Sequence, residues 1–285
     1  ATLQFAAVPL NLSGPDDTAD YVNTGNWSKK AAGEAERFLN VNVAADGVDR
    51  NYVTIPDPAT WQVSDEAKYL HLAVNETVVG VEFHEIPEVS DAPLVADMSS
   101  TLLSRPVDVN RFGLIYAGAQ KNIGPAGLTV VIVREDLLDR ARLETPSVTN
   151  YRVMADADSM FNTPPTFAWY VAGLVFQWIK QEGGLVAMGD RSQRKARKLY
   201  AGIDASDFYS NPVDHRCRSW MNVPFTLADP ELDSEFLKKS AEAGLANLKG
   251  HRLVGGMRAS IYNAMPEAGV DALLAFMVDF EARHG

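Results

Sequence analysis

Between Tyr69 and Val133 the chain carries five short apolar runs: Tyr69–Val74, Val78–Phe83, Pro93–Ala96, Gly113–Ala117 and Leu128–Val133. Gly, Pro, Asp and Asn lie between them, and β-branched residues are frequent in them. Runs this short, apolar without strict alternation, suit strands of a sheet buried on both faces. Such a sheet needs helices over it, so this part of the chain is expected to be an α/β unit. Further on the period changes. Thr166–Gln181 follows Pro164-Pro165 and stops at Gly183-Gly184, which reads as helix start and stop punctuation. Arg191–Ile203, Ser234–Lys249 and Val270–Arg283 also carry helical spacing, and a strand over Arg258–Asn263 precedes the last of them. The chain therefore divides into a large α/β unit, 1–187, and a small C-terminal α+β unit, 188–285. There is no internal repeat and no flexible linker.

Composition excludes several functions. The net charge is −11 and the isoelectric point about 4.9, which argues against nucleic acid or an anionic membrane as partner over the bulk surface. Converging arginines at one site would still accept a small anionic substrate. The apolar runs are broken well before the length that spans a bilayer. The single cysteine, Cys217, rules out an internal disulfide and fits a reducing, cytoplasmic setting. The chain opens Ala1-Thr2-Leu3-Gln4 without an initiator Met or a signal peptide, so a preceding segment is expected to be missing.

One lysine stands apart. Lys121 is the only lysine from Tyr69 through Ile179, and it sits in the small-residue segment Tyr116-Ala-Gly-Ala-Gln-Lys-Asn-Ile-Gly-Pro-Ala-Gly127 between two strand-like runs. A surface hairpin lysine is the commoner outcome of such a composition. The chemical alternative is a desolvated amine of lowered pKa, able to form an imine. Asp97 closes an apolar run, where ligand-facing residues of α/β sheets gather, although a turn or cap role is the commoner one. Ala1-Thr2 precede an apolar run that starts a helix, a weak phosphate-binding signal. Cys217 lies in His215-Arg-Cys-Arg218, where positive charge favours a thiolate, but an inert half-buried cysteine is the preferred reading. The five histidines form no i,i+4 pair and have no cysteine partner, so no metal is expected.

Together these segments resemble the phosphoserine aminotransferase family, which belongs to the fold-type I pyridoxal 5′-phosphate (PLP) enzymes of the class-V aminotransferases. The resemblance rests on Tyr116–Asp136, Ser159-Met-Phe-Asn-Thr-Pro-Pro-Thr166, Gly250-His-Arg-Leu-Val-Gly-Gly-Met-Arg-Ala-Ser-Ile-Tyr-Asn-Ala-Met265 and Asn75-Glu-Thr77, in family order from Ala1 to Gly285. It implies a mostly parallel sheet in the large domain, a homodimer with shared active sites, and these roles. Lys121 forms the Schiff base. Asp97 pairs with the pyridinium nitrogen, Thr77 bonds the phenolic oxygen and Trp27 stacks on the ring. Gln120 and the backbone of Ala1 and Thr2 hold the phosphate, with Asn162 and Thr163 reaching it across the subunit interface. Arg258 receives the substrate α-carboxylate, while His251 and Arg252 from the partner subunit meet the substrate's distal anion.

The implied reaction moves an amino group between glutamate and 3-phosphohydroxypyruvate, in serine biosynthesis, with a parallel step in pyridoxine biosynthesis. Family members begin several dozen residues earlier, and that stretch carries two phosphate-loop glycines and a further His-Arg pair. The alternatives are another fold-type I aminotransferase, a desulfurase of the same fold, and a truncated, inactive chain kept for dimerisation.

Overall fold

The computed structural model describes residues 1–285. In chain order it begins with α1 (Gln4–Leu12), β1 (Thr18–Asn23), α2 (Asn26–Ala35), β2 (Asn40–Asp46), β3 (Leu70–Ala73), β4 (Asn75–Glu76), β5 (Val81–Glu82), β6 (Leu94–Asp97), β7 (Leu114–Gly118) and β8 (Thr129–Val133). It continues with α3 (Tyr151–Asp156), α4 (Thr166–Gln181), α5 (Gly184–Asp204), β9 (Tyr209–Ser210), β10 (Asn222–Leu227), α6 (Asp233–Glu242), β11 (Met257–Ser260) and α7 (Glu267–His284). Six strands form one sheet in the order β2-β1-β3-β6-β7-β8. All its pairs are parallel except β7–β8. This is the mostly parallel sheet expected of the large unit.

The reason for the continuous apolar runs is visible in the two faces of this sheet. On one face Tyr21, Tyr69, Val95, Leu114 and Tyr116 pack with Phe5, Val8 and Leu12 of α1 and Ala31 and Ala35 of α2. On the other, Val22, Leu70, Leu72, Ala96 and Ile115 pack with Trp61, Phe83 and Phe112. Every residue of β3 and β7 is buried. A third apolar cluster joins α5, α6 and α7 to the antiparallel sheet β11-β10-β9, with Phe225, Phe236, Met277 and Phe280 at its centre. Helix α5 runs across residues 187 and 188 without a break. No helix is long and apolar enough to cross a membrane.

Three elements differ from expectation. The helix expected over Ser234–Lys249 ends at Glu242, because Gly244 adopts φ +84° and Leu245 N–H turns back to Ser240 O at 2.8 Å. That left-handed glycine closes the helix as a C-cap, and Leu248 reaches the core from non-helical chain. The run Val78–Phe83 is a strand only at β5, since Thr77–Gly80 turns between β4 and β5 and Gly80 has φ +76°. The run at β8 is an antiparallel edge and only partly buried.

One buried charge organises the loop that follows β11. Lys195 on α5 is 1% exposed, and its Nζ donates to Ile261 O, Tyr262 O and Met265 O at 2.9, 2.7 and 2.9 Å. The loop it gathers places Asn263, whose backbone N–H reaches Asn122 Oδ1 (3.0 Å) and whose Nδ2 reaches Leu103 O (2.8 Å). Asn122 is the neighbour of Lys121. Lys195→Met leaves three carbonyls without their charged donor, so it is expected to lower unfolding free energy by about 3 kcal/mol or more. Denaturant unfolding measures this, and a loss below about 1 kcal/mol would contradict it.

Candidate active site

Strands β1, β3, β6 and β7 all end on the same edge of the sheet, where parallel α/β folds bind ligands. Register fixes what they present there. Ala73 pairs with Asp97, and Asp97 with Tyr116, so the last residue of β6 stands between the ends of its neighbours. β7 runs on through Gly118 into the turn that carries Lys121. A Cβ on Gly118 would lie 2.7 Å from that of Ala1, so the end of β7 and the start of α1 touch only because residue 118 has no side chain. The first turn of α1, the positive end of its dipole, therefore faces the same edge.

Ala1, Thr2, Trp27, Thr77, Asp97, Gln120 and Lys121 line one cleft, with Phe5, Asn75, Ser99 and Ser100. Lys121 Nζ donates to Thr77 Oγ1 at 2.9 Å. Burial holds its pKa below the ordinary lysine value, while Asp97 opposes that shift and Arg258 adds to it. Asp97 is 9% exposed, and burial pushes its carboxyl upward against the bonds it accepts from Ser99 and the charge of Lys121. Ser99 N–H approaches Asp97 Oδ1 at 2.8 Å. Behind this, on the sheet's inner face, His71 Nε2 meets Tyr116 Oη at 2.9 Å, and burial lowers the His71 pKa to about 3, so the ring is neutral. Arg258 comes from β11, and its Nη1 reaches Thr77 O at 3.4 Å.

Asn162 and Thr163 stand elsewhere. Both are exposed in the chain before α4, and Asn162 lines a different cleft with Leu3, Gln4 and Trp169. His251 and Arg252 lie in the turn before β11 and do not line the Lys121 cleft. Burial lowers the His251 pKa, and the nearby positive charges of Arg258, Arg252 and Lys30 lower it further. Cys217 is 4% exposed and packed with Val81 and Val213, where burial pushes its thiol up. The flanking arginines do not offset this, because Arg218 is turned to Asp204 and Arg216 to Asp214.

The residues fit a flat, anionic, nitrogen-containing cofactor. Trp27 Nε1 and Arg258 Nε are buried donors with no partner in the chain. A buried donor left unpaired costs about 1–3 kcal/mol, so both point to ligand acceptors. The buried Asp97 carboxylate suits a cationic ring nitrogen, and Lys121 a carbonyl carbon. Sequence reasoning did not single out Asn75, Glu76, Ser99 or Ser100. Asn75 Nδ2 bonds Ser100 Oγ (2.8 Å) and Asn222 Oδ1 (2.9 Å), joining the cleft to the small unit. Its place beside Thr77 in Asn75-Glu-Thr77 was the available signal.

The sequence profile of the class-V aminotransferases matches residues 1–273. The phosphoserine aminotransferase of Hahella chejuensis is 62% identical over 284 residues, and that of Pseudomonas aeruginosa is 58% identical over 285. Each alignment covers 100% of this chain and 79% of the relative. Among solved structures, phosphoserine aminotransferase from Bacillus circulans subsp. alkalophilus superposes with a TM-score of 0.97 at 46% identity, over 100% of this chain and 79% of that one. PLP-bound phosphoserine aminotransferase from Trichomonas vaginalis gives 0.92 at 42% identity, over 97% of this chain and 79% of that one.

The electrostatics predict how Lys121 titrates. Its labelling by an amine-reactive acyl reagent should rise with pH through a midpoint below 10.5, the ordinary lysine value. Asp97→Asn removes the negative charge that favours the ammonium, so the midpoint should move lower still. Peptide mass spectrometry across a pH series reads both. A midpoint at the ordinary value, or an upward move in the variant, would contradict this account.

Proposed function

The chain belongs to the class-V aminotransferases and, within them, to the phosphoserine aminotransferase family, and from that premise we propose that it moves an amino group between glutamate and 3-phosphohydroxypyruvate. One observation carries the reading: a half-buried lysine of lowered pKa, held by Thr77, shares the carboxyl edge of a parallel sheet with a buried aspartate. PLP is the cofactor, and when bound it supplies an electron sink for the charge left at the substrate's Cα. Lys121 Nζ, held by Thr77 Oγ1, takes the proton from the donor's Cα and returns one to the acceptor's Cα in the second half-reaction. Its lowered pKa keeps more of it as free amine near neutrality. Asp97 keeps the ring nitrogen protonated by offering a buried negative partner. Thr77 Oγ1 orients the phenolic oxygen, Trp27 covers the ring, and Gln120 with the backbone of Ala1 and Thr2 holds the phosphate. Arg258 grips the α-carboxylate through its unpartnered guanidinium edge.

Asn162, Thr163, His251 and Arg252 act across a homodimer interface in this reading. None of the four lines the Lys121 cleft of its own subunit, which is consistent with it, and so is the apolar outer face of α4, where Phe167, Trp169, Tyr170, Leu174 and Phe176 are exposed. The separate apolar clusters support two units, 1–187 and 188–285. A cytoplasmic role in serine biosynthesis and a parallel pyridoxine-pathway reaction complete the proposal. The desulfurase alternative loses support because Cys217 is buried away from the cleft.

Lys121→Ala should abolish turnover and the visible absorbance of the lysine–cofactor adduct, read by a spectrum with and without glutamate. Retention of both sinks the assignment. Arg258→Ala should lower kcat/KM for glutamate about 100-fold, the loss of about 3 kcal/mol from a charge-assisted carboxylate contact. A steady-state series with unchanged kcat/KM would remove Arg258 from the site.

A further inference from the structure

Glu76 is wholly buried between Asn75 and Thr77, and its carboxylate points into the start of α2. Oε1 accepts from Trp27 N (3.1 Å), Ser28 N (2.8 Å) and Ser28 Oγ (2.8 Å), and Oε2 accepts from Trp27 N at 2.9 Å. Ser28 Oγ in turn accepts from Thr24 N (2.9 Å) and Gly25 N (3.1 Å). The whole turn from Thr24 to Ser28 therefore hangs on one carboxylate. Helix α2 needs such a group, because its first N–H groups lack intrahelical partners and the residue before it is Gly25, with no side chain to cap them. A Cβ on Gly25 would stand 2.7 Å from Glu76 Cδ, so the carboxylate is pressed against the turn's backbone. Burial raises the Glu76 pKa, opposed by these donors, and the positive end of the helix favours its charged form.

Trp27 is the residue this arrangement locates. Its backbone N–H is gripped by both oxygens, while its indole lines the Lys121 cleft with an unpartnered Nε1. The gripping carboxylate comes from the residue next to Thr77, which holds Lys121 Nζ. One peptide link thus fixes the aromatic wall relative to the lysine's partner. We propose that Glu76 is the positioning residue for Trp27, setting the indole against the cofactor ring by capping α2 from 49 residues away. The proposal rests on the functional reading above for the identity of the ring.

Glu76→Gln discriminates this role from simple packing. The side chain keeps its shape, and its amide oxygen fits the Oε1 site with three donors, which leaves the amide N–H2 facing Trp27 N–H. Fluorotryptophan-labelled protein tests it without cofactor. The Trp27 ¹⁹F signal, assigned by its absence in Trp27→Leu, should be a single sharp line that shifts or broadens in Glu76→Gln and is largely restored in Glu76→Asp. An unchanged Trp27 line overturns the proposal. PLP titration then tests the consequence. Glu76→Gln and Trp27→Leu should each weaken cofactor affinity about tenfold, while the double variant should bind no worse than Trp27→Leu alone within a factor of two. Independent, hundredfold loss in the double variant overturns the proposal. Failure of the parent chain to bind PLP overturns the functional reading instead, and the ¹⁹F result still decides the role of Glu76.

Discussion

The site depends on keeping three ionisable side chains charged or chargeable in a place with little water. Asp97 and Glu76 are buried and Lys121 half-buried at the carboxyl edge of the sheet, and burial alone shifts each toward its neutral form. The effective cost of burying such ions is several kcal/mol apiece. The charges lean on one another and on hydrogen-bond donors, so each offsets part of its neighbours' burial cost. Lys121 is supported by Asp97 and Glu76, Asp97 by Lys121 and Ser99, and Glu76 by the backbone of α2. The parallel register makes this possible, since it ends adjacent strands at one level and exposes their following N–H groups to the same cleft.

That edge is completed by short polar contacts from the C-terminal part of the chain. Asn75 meets Asn222, Asn122 meets the backbone of Asn263, and Thr77 O meets Arg258. Each is a single hydrogen bond, of about 1 kcal/mol net for the neutral ones. A firmer clamp lies further from the cleft, where buried Glu82 pairs with Arg105 at 2.6 Å and accepts Trp220 N–H at 2.8 Å. The distribution matters chemically. Arg258 is anchored by its strand, in register with Pro224, but its guanidinium is left with a weak 3.4 Å contact and a free Nε. An arginine committed to a protein carboxylate, as Arg218 is to Asp204, would have no fork to offer a substrate.

How far the sequence disclosed all this varied with the range of the interactions involved. The apolar runs at β3, β6 and β7 are readable because burial on both faces leaves few polar positions to interrupt them, His71 being the one inside a strand. Lys121 was conspicuous because a lone lysine in a small-residue turn has no solvated helix face to explain it. β1 carries no such signal, since Asp20 interrupts it, and that aspartate is buried only because Ser64 N–H and Asn42 Nδ2 satisfy it from afar. The apolar spacing continues through Leu245 and Leu248 and so predicts helix across Gly244, because spacing carries no information about a left-handed φ. Trp27 and Thr77 entered through family resemblance, and nothing in their own segments marks them.

Helix α2 shows why local reading stops where it does. It begins after a glycine, carries two adjacent lysines on its exposed side, and has no side chain at its N-cap to take the N–H groups of Trp27 and Ser28. Judged by its segment it is a poor helix with a poor start. Its start is supplied by Glu76, which in its own segment is an acidic residue between an asparagine and a threonine. Each half of the arrangement looks unremarkable alone, and the energetic unit exists only when β4 is laid beside the end of β1. Residues that serve a site through such long-range pairing leave no periodicity and no composition bias. They become visible when every buried charge is asked which donors keep it ionised, the question that singles out Glu76.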